Sequence, residues 1–171
     1  ATATKKVEAD IASNLNLQNA KHFRAKTIRD NIDIKVEPRI ANGKTQILNF
    51  LKTHKGLCGI IYTFTRKEAE STAQFLSENG YSSKAYHAGL SPKVKDEVYD
   101  AFVYEKIDIV VATIAFGMGI DKSNIRFVIH TSLPKTLENY YQEIGRAGRD
   151  GEMSYVYLLY SKSDEVKRKI Q

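Results

Sequence analysis

The chain has 171 residues, 42% of them hydrophobic and 27% charged, and carries a net charge of +6. That balance suits one medium domain with a real core and excludes a disordered chain. The single cysteine, Cys58, excludes an internal disulfide or zinc cluster, and no apolar run reaches the ~20 residues needed to span a bilayer.

The positive balance is compatible with nucleic acid, and equally with a mildly basic protein that has no such partner. Cys58 lies in the apolar run LCGIIYTF and reads as a small core residue. No signal-peptide pattern opens the chain, so a reducing, cytoplasmic setting is the default. The chain begins at ATAT without an initiator methionine, which reads as a fragment.

In chain order, Thr4 can cap a helix over Lys5 to Leu15, with Val7, Ile11 and Leu15 recurring every four residues. A polar connection follows, Asn16 to Arg24. Ile32, Ile34 and Val36 alternate with Asp33 and Lys35 as a half-buried strand that Pro38 ends. Asn42-Gly43 is a turn before a helix over Lys44 to Thr53. Leu57 to Thr63 is an apolar strand of the kind buried on both faces. Thr65 and Glu68 make a capping box for a helix to about Glu78, closed by Asn79-Gly80. Ser83 to His87 is a short strand, and Ser91-Pro92 starts a helix whose stripe is Val94, Val98 and Phe102. Ile107 to Ala112 and Ile125 to His130 are further apolar strands. Thr136 caps a helix running into an arginine-rich segment, Ser154 to Tyr160 is a last strand, and Ser163 to Ile170 a terminal helix. Alternating strands and helices mean an α/β fold with a parallel sheet covered on both faces, whose ligands gather at the carboxyl ends of the strands.

The segment YYQEIGRAGRDG, Tyr140 to Gly151, sets Arg146 and Arg149 among Gly145, Gly148 and Gly151. A helix here would put both guanidinium groups and Gln142 on one face. One reading is a polyphosphate clamp, since arginine offers a charged fork of donors that fits phosphate. The other is a solvated arginine pair beside a loop. Three strand exits add candidates. Thr65 and Arg66 stand at a helix start, where Thr65 can be a plain cap and Arg66 a phosphate contact. His87 precedes Ala88-Gly89 and is either structural or a backbone contact. Thr113 opens TIAFGMGID, in which Gly117 and Gly119 allow close backbone approach and Asp121 can meet a ribose hydroxyl or an arginine. There is no G-x-x-x-x-G-K-[ST] loop, no acidic magnesium site and no catalytic triad pattern. Arginines without a means of holding a nucleotide are the profile of half a site, the half that supplies an arginine finger.

ATAT at 1–4, GIIYTFTR at 59–66, AYHAGL at 85–90, VVATIAFGMGIDKSNIRFVIH at 110–130 and YYQEIGRAGRDG at 140–151 stand in the order of the second motor domain of superfamily 2 helicases. Together they resemble the RecQ family of DNA helicases rather than DEAD-box RNA helicases. The resemblance implies a RecA-like parallel sheet flanked by helices. Residues 1–20 would be the tail of the first motor domain and a linker, and 21–171 the second. It implies ATP hydrolysis with Mg2+, held mainly by the first domain, driving 3′-to-5′ movement on single-stranded and partially duplex DNA in repair, recombination and replication. Arg149 matches the family's arginine finger, Arg146 its companion and Gln142 a polar partner, with Asp121 and Gly119 also toward the nucleotide. Thr65, Arg66, His87 and Thr113 fall in segments resembling DNA-backbone contacts.

The expected partners are DNA and the first motor domain of the same protein, with no membrane. The expected location is the nucleoid if bacterial and the nucleus if eukaryotic. Alone, the chain is expected to show no ATPase. Two departures stand out: Arg29-Asp30-Asn31-Ile32 where the family usually has R-P-N-I, and Ile144 where serine or threonine is common. The family's cysteine cluster does not follow, so zinc would belong only to a longer protein. A basic module that holds nucleic acid without turnover, and an RNA-specific helicase, are the rival readings.

Overall fold

The computed structural model describes residues 5–21, 23, 29–113, 116 and 120–169. The elements in chain order are α1 (Lys5–Asn14), β1 (Ile32–Pro38), α2 (Lys44–Thr53), β2 (Gly59–Tyr62), α3 (Arg66–Glu78), β3 (Ser83–Tyr86), α4 (Pro92–Val103), β4 (Ile109–Ala112), β5 (Phe127–His130), α5 (Leu137–Ile144), β6 (Ser154–Tyr160) and α6 (Lys162–Lys169). The six strands form one sheet in the order β1-β6-β5-β2-β4-β3. Every neighbouring pair is parallel.

Strands β2, β4 and β5 are buried along their whole length, as continuous apolar runs in a doubly covered sheet should be. Alternate residues feed two cores. Ile61, Val111 and Ile129 meet Ile47 and Leu51 of α2 and Ala69, Ala73 and Leu76 of α3. Ile60, Val110 and Val128 meet Val98 and Phe102 of α4, together with Phe116, Ile120, Ile125 and Ala147. Gly59 leaves room for the Phe127 ring, whose nearest atom would lie 2.4 Å from an added Cβ. The helix starts follow local chemistry. The Thr65 hydroxyl accepts from the Glu68 amide while Glu68 bonds back to the cap, and Ser91 accepts from the Val94 amide ahead of Pro92.

The first helix forms where its periodicity placed it, and none of it is buried among the described residues: Val7 and Ile11 are each 45% exposed. Three expectations need correcting. Val36 is 54% exposed, since β1 is an edge strand and its alternation buries Ile32 and Ile34 only by half. Val94, in the first turn of α4, is 37% exposed, so the buried stripe is Val98 and Phe102 alone. Lastly, α5 stops at Ile144 and the arginine segment is a run of turns, with Gly148 at φ +59° and Gly151 at φ +87°.

Beyond the sheet, Arg39 and Asp164 tie the last elements down. Arg39 donates to both carboxylate oxygens of Asp164 at 3.0 and 2.8 Å, and to the Thr131 carbonyl. Asp164, only 2% exposed, also accepts the Ser161 amide at 2.9 Å.

Candidate functional site

The arginine turn leaves α5 after Thr136, whose hydroxyl accepts from the Asn139 amide, has started that helix. Gly145 donates back to Tyr141 and Ala147 to Ile144, at 2.9 and 3.1 Å, completing a loose last turn. The Gly148 amide then bonds the Ile125 carbonyl at 2.8 Å, just ahead of β5. The Gly148 end of the turn is therefore anchored at the amino end of β5, while Arg146 reaches Tyr62, the last residue of β2.

Four arginines surround this turn, in different states. Arg126 grips both carboxylate oxygens of Asp150 at 2.6 Å. That bond holds the Asp150 carboxyl below its usual range. Arg29 points its fork at backbone: Nη1 to the Gly148 carbonyl at 3.0 Å, and Nη2 to those of Gly145 and Ala147 at 2.8 and 2.5 Å. Its proton affinity is lowered by burial and then by the neighbouring Arg149 charge, against a pull from Asp150. Arg146 is half-buried and bonds the Tyr62 hydroxyl, which also donates to the Phe116 carbonyl at 2.9 Å. Arg149 is exposed, and Nη1 donates to the neutral Ile120 carbonyl at 3.1 Å. Asp121, the next residue, is exposed beside it, as is Gln142 at the end of α5. Gly119 and Gly117 lie outside the described residues.

Behind Arg146 is a buried polar stack. His130 Nε2 meets Glu143 Oε2 at 2.5 Å, and the His130 ring stacks on Tyr62 at 5.1 Å and edges against Tyr140 at 5.2 Å. Burial pushes the Tyr62 hydroxyl well up, with the Arg146 charge opposing. Tyr140 is pushed up to about 12 by burial and then by Tyr141. His130 and Glu143 went unnoticed in the sequence, where each looks like an ordinary strand or helix residue.

At the carboxyl edge, β3 and β4 end side by side, bringing His87 and Thr113 together. The Thr113 amide donates to the Tyr86 carbonyl at 3.2 Å. His87 is 3% exposed, with Nε2 on Glu70 Oε1 at 3.0 Å and Nδ1 without a hydrogen-bond partner among the described residues. Arg66 is exposed, and its guanidinium lies over Gly89: a Cβ there would be 3.0 Å from Nη1 and 3.2 Å from His87 Nδ1. Thr65 commits its hydroxyl to the cap. Two groups result, Arg66–His87–Thr113 at one end of the strands and Gln142–Arg146–Arg149 with Asp121 on the arginine turn. Among the described residues no cluster of three or more His, Cys, Asp or Glu could hold a metal ion, and no helix is long and apolar enough to cross a membrane.

The profile of the helicase conserved C-terminal domain matches residues 43–151. The chain is 44% identical over 168 residues to the RecQ-like DNA helicase blm-1 of Caenorhabditis elegans, covering 98% of this chain and 17% of that protein. It is 43% identical over 164 residues to the ATP-dependent DNA helicase RecQ of Bacillus subtilis, covering 96% of this chain and 28% of that one. Both relatives are therefore more than three times its length. Among solved structures, a DEAD box protein from Methanococcus jannaschii superposes with a TM-score of 0.74 at 25% identity, over 98% of this chain and 46% of the other. The parallel sheet and these similarities agree: the chain belongs to the helicase conserved C-terminal domain family and is similar to RecQ-like DNA helicases.

Proposed function

We propose that this chain is the second motor domain, over residues 21–171, of an ATP-dependent 3′-to-5′ DNA helicase, with 1–20 leading in from the first. The observation that carries the reading is the contrast among the four arginines. Arg126 is neutralised by Asp150 and Arg29 is spent on backbone, while exposed Arg149 makes no ion pair among the described residues. Exchanging the Ile120 carbonyl for a phosphate oxygen would replace a neutral acceptor by a charged one, which roughly doubles the strength of such a bond.

ATP with Mg2+, bound between two such domains, would supply the phosphoryl group whose transfer drives movement. Arg149 would place its fork against the developing charge on that group. Arg146, held by Tyr62, would set the depth of the approach, and Gln142 would offer an amide to the same phosphates. Asp121 would meet a ribose hydroxyl of the nucleotide. The metal would be held mainly by the other domain. At the carboxyl ends of β2, β3 and β4, Arg66 at the start of α3 and Thr113 would meet the DNA backbone, where helix amides favour phosphate. His87 is too buried for first contact and would support Arg66 from beneath.

The test is Arg149→Ala in the complete protein. DNA-stimulated ATPase should fall by ~10³–10⁵ while single-stranded DNA binding is retained. Wild-type turnover in that variant refutes the role.

A further inference from the structure

We propose that Arg29 and Asn31 are positioning residues for the arginine turn, fixing its backbone so that Arg146 and Arg149 project toward phosphate; this rests on the phosphate-contacting reading of those two arginines. Arg29 and Asn31 lie outside the 43–151 span that matches the helicase profile.

The geometry is specific. A helix end leaves its last carbonyls without intrahelical partners. Here one planar guanidinium, from 116 to 119 residues upstream, collects the carbonyls of Gly145, Ala147 and Gly148. Asn31 Nδ2 adds a second bond to the Gly148 carbonyl at 2.9 Å and one to that of Glu152 at 2.8 Å. The turn is thus held from both sides of Gly148, at Gly145 and Ala147 before it and Glu152 after it. Arg146 and Arg149 sit inside that bracket. A rigid fork fixes several acceptors relative to one another, which the single ammonium of lysine cannot do.

The fit is close enough to dictate residue type. At Gly148 an added Cβ would lie 2.5 Å from Asn31 Nδ2 and 2.7 Å from Ser154 Oγ. The Arg29 charge also acts directly. Besides burial, the Arg149 charge lowers the proton affinity of Arg29, so the two cations stand close enough to add to the field an incoming anion meets. The segment leading into β1 therefore carries a direct mechanical tie to the arginine turn.

The experiment uses the complete protein with Arg29→Lys, Asn31→Ala, and each combined with Arg149→Ala. Two readouts are taken: DNA-stimulated ATPase with kcat and KM for ATP resolved, and hydrogen exchange of the peptide covering 145–151. Arg29→Lys keeps the charge but loses the fork. It should lower kcat on the order of 10- to 100-fold, as for a reacting group displaced by about 1 Å, with KM little changed. Exchange over 145–151 should rise, and the further loss in the Arg149→Ala background should be clearly smaller, confined to what Arg146 contributes. Asn31→Ala should move both readouts the same way by less, and serves if Arg29→Lys fails to fold. A wild-type kcat, unchanged exchange, or a loss that multiplies in full with Arg149→Ala overturns the proposal. Normal turnover in Arg149→Ala alone overturns the phosphate reading instead, and exchange over 145–151 then decides by itself whether Arg29 holds the turn.

Discussion

Replacing Gly148 by alanine probes the arginine turn without touching an arginine. Gly148 has φ +59°, a left-handed backbone that costs an ordinary residue ~1–2 kcal/mol. The new Cβ would also lie 2.5 Å from Asn31 Nδ2 and 2.9 Å from the Glu152 carbonyl, so Asn31 must move. Its two hydrogen bonds to the Gly148 and Glu152 carbonyls are then lost, at ~0.5–1.5 kcal/mol each. The sum is about 2–5 kcal/mol. At ~2–4 °C per kcal/mol for a chain of this size, the melting temperature should fall by roughly 4–20 °C. Calorimetry or thermal melts on the 171-residue chain measure it. The origin is separable. In Asn31→Ala the obstructing amide is absent, so Gly148→Ala added to it should cost clearly less than it does alone, with a coupling of ~0.5–3 kcal/mol. A variant that melts with wild type, or strict additivity in the double mutant, would refute the packing argument.

Two further outcomes follow from buried groups elsewhere. Asp164→Ala should cost about 3–5 kcal/mol, because it strands the Arg39 guanidinium in a nearly closed site. The double variant Arg39→Met, Asp164→Leu should melt closer to wild type than Asp164→Ala does; a lower melt contradicts the stranded-charge account. On the alkaline side, burial raises Tyr62, Tyr140 and Tyr157 above the ordinary value near 10, Tyr140 to about 12. Raised folded-state values mean stability that is intact below about pH 10 and lost as pH rises through about 12. Spectrophotometric titration should therefore show these three of the ten tyrosines lagging until the chain unfolds, and one step near 10 for all ten would contradict it.

The fold was legible because its signals are local. The capping box at Thr65–Glu68, the Ser91-Pro92 start and the three apolar strands each need only a few adjacent residues to be read. Val36 and Val94 misled for the opposite reason. Apolar periodicity states which face would be buried, but the covering surface is a tertiary fact. The Thr65 side chain proved to be the cap its spacing suggested, and His87 proved buried, which no single-residue argument could settle.

The arginine segment joins both lessons. Its three-residue spacing fits a helix, and a helix would have placed Arg146 and Arg149 on one face. Two glycines weaken that option by ~1 kcal/mol each relative to alanine, which is not decisive by itself. What decides is competition for the carbonyls. A helix continued through Glu152 would claim the backbone oxygens of residues 145–148 for its own ladder, but Arg29 takes three of them and Asn31 reinforces one. Charge-assisted bonds from a half-buried guanidinium outcompete neutral helical ones, at ~1.5–3 kcal/mol against about 1. The turn then releases the two arginines from a common helical face. Arg146 goes inward to Tyr62 and Arg149 outward past Ile120. Two different reaches from one short segment follow from a contact more than 110 residues away in sequence, out of range of any local pattern.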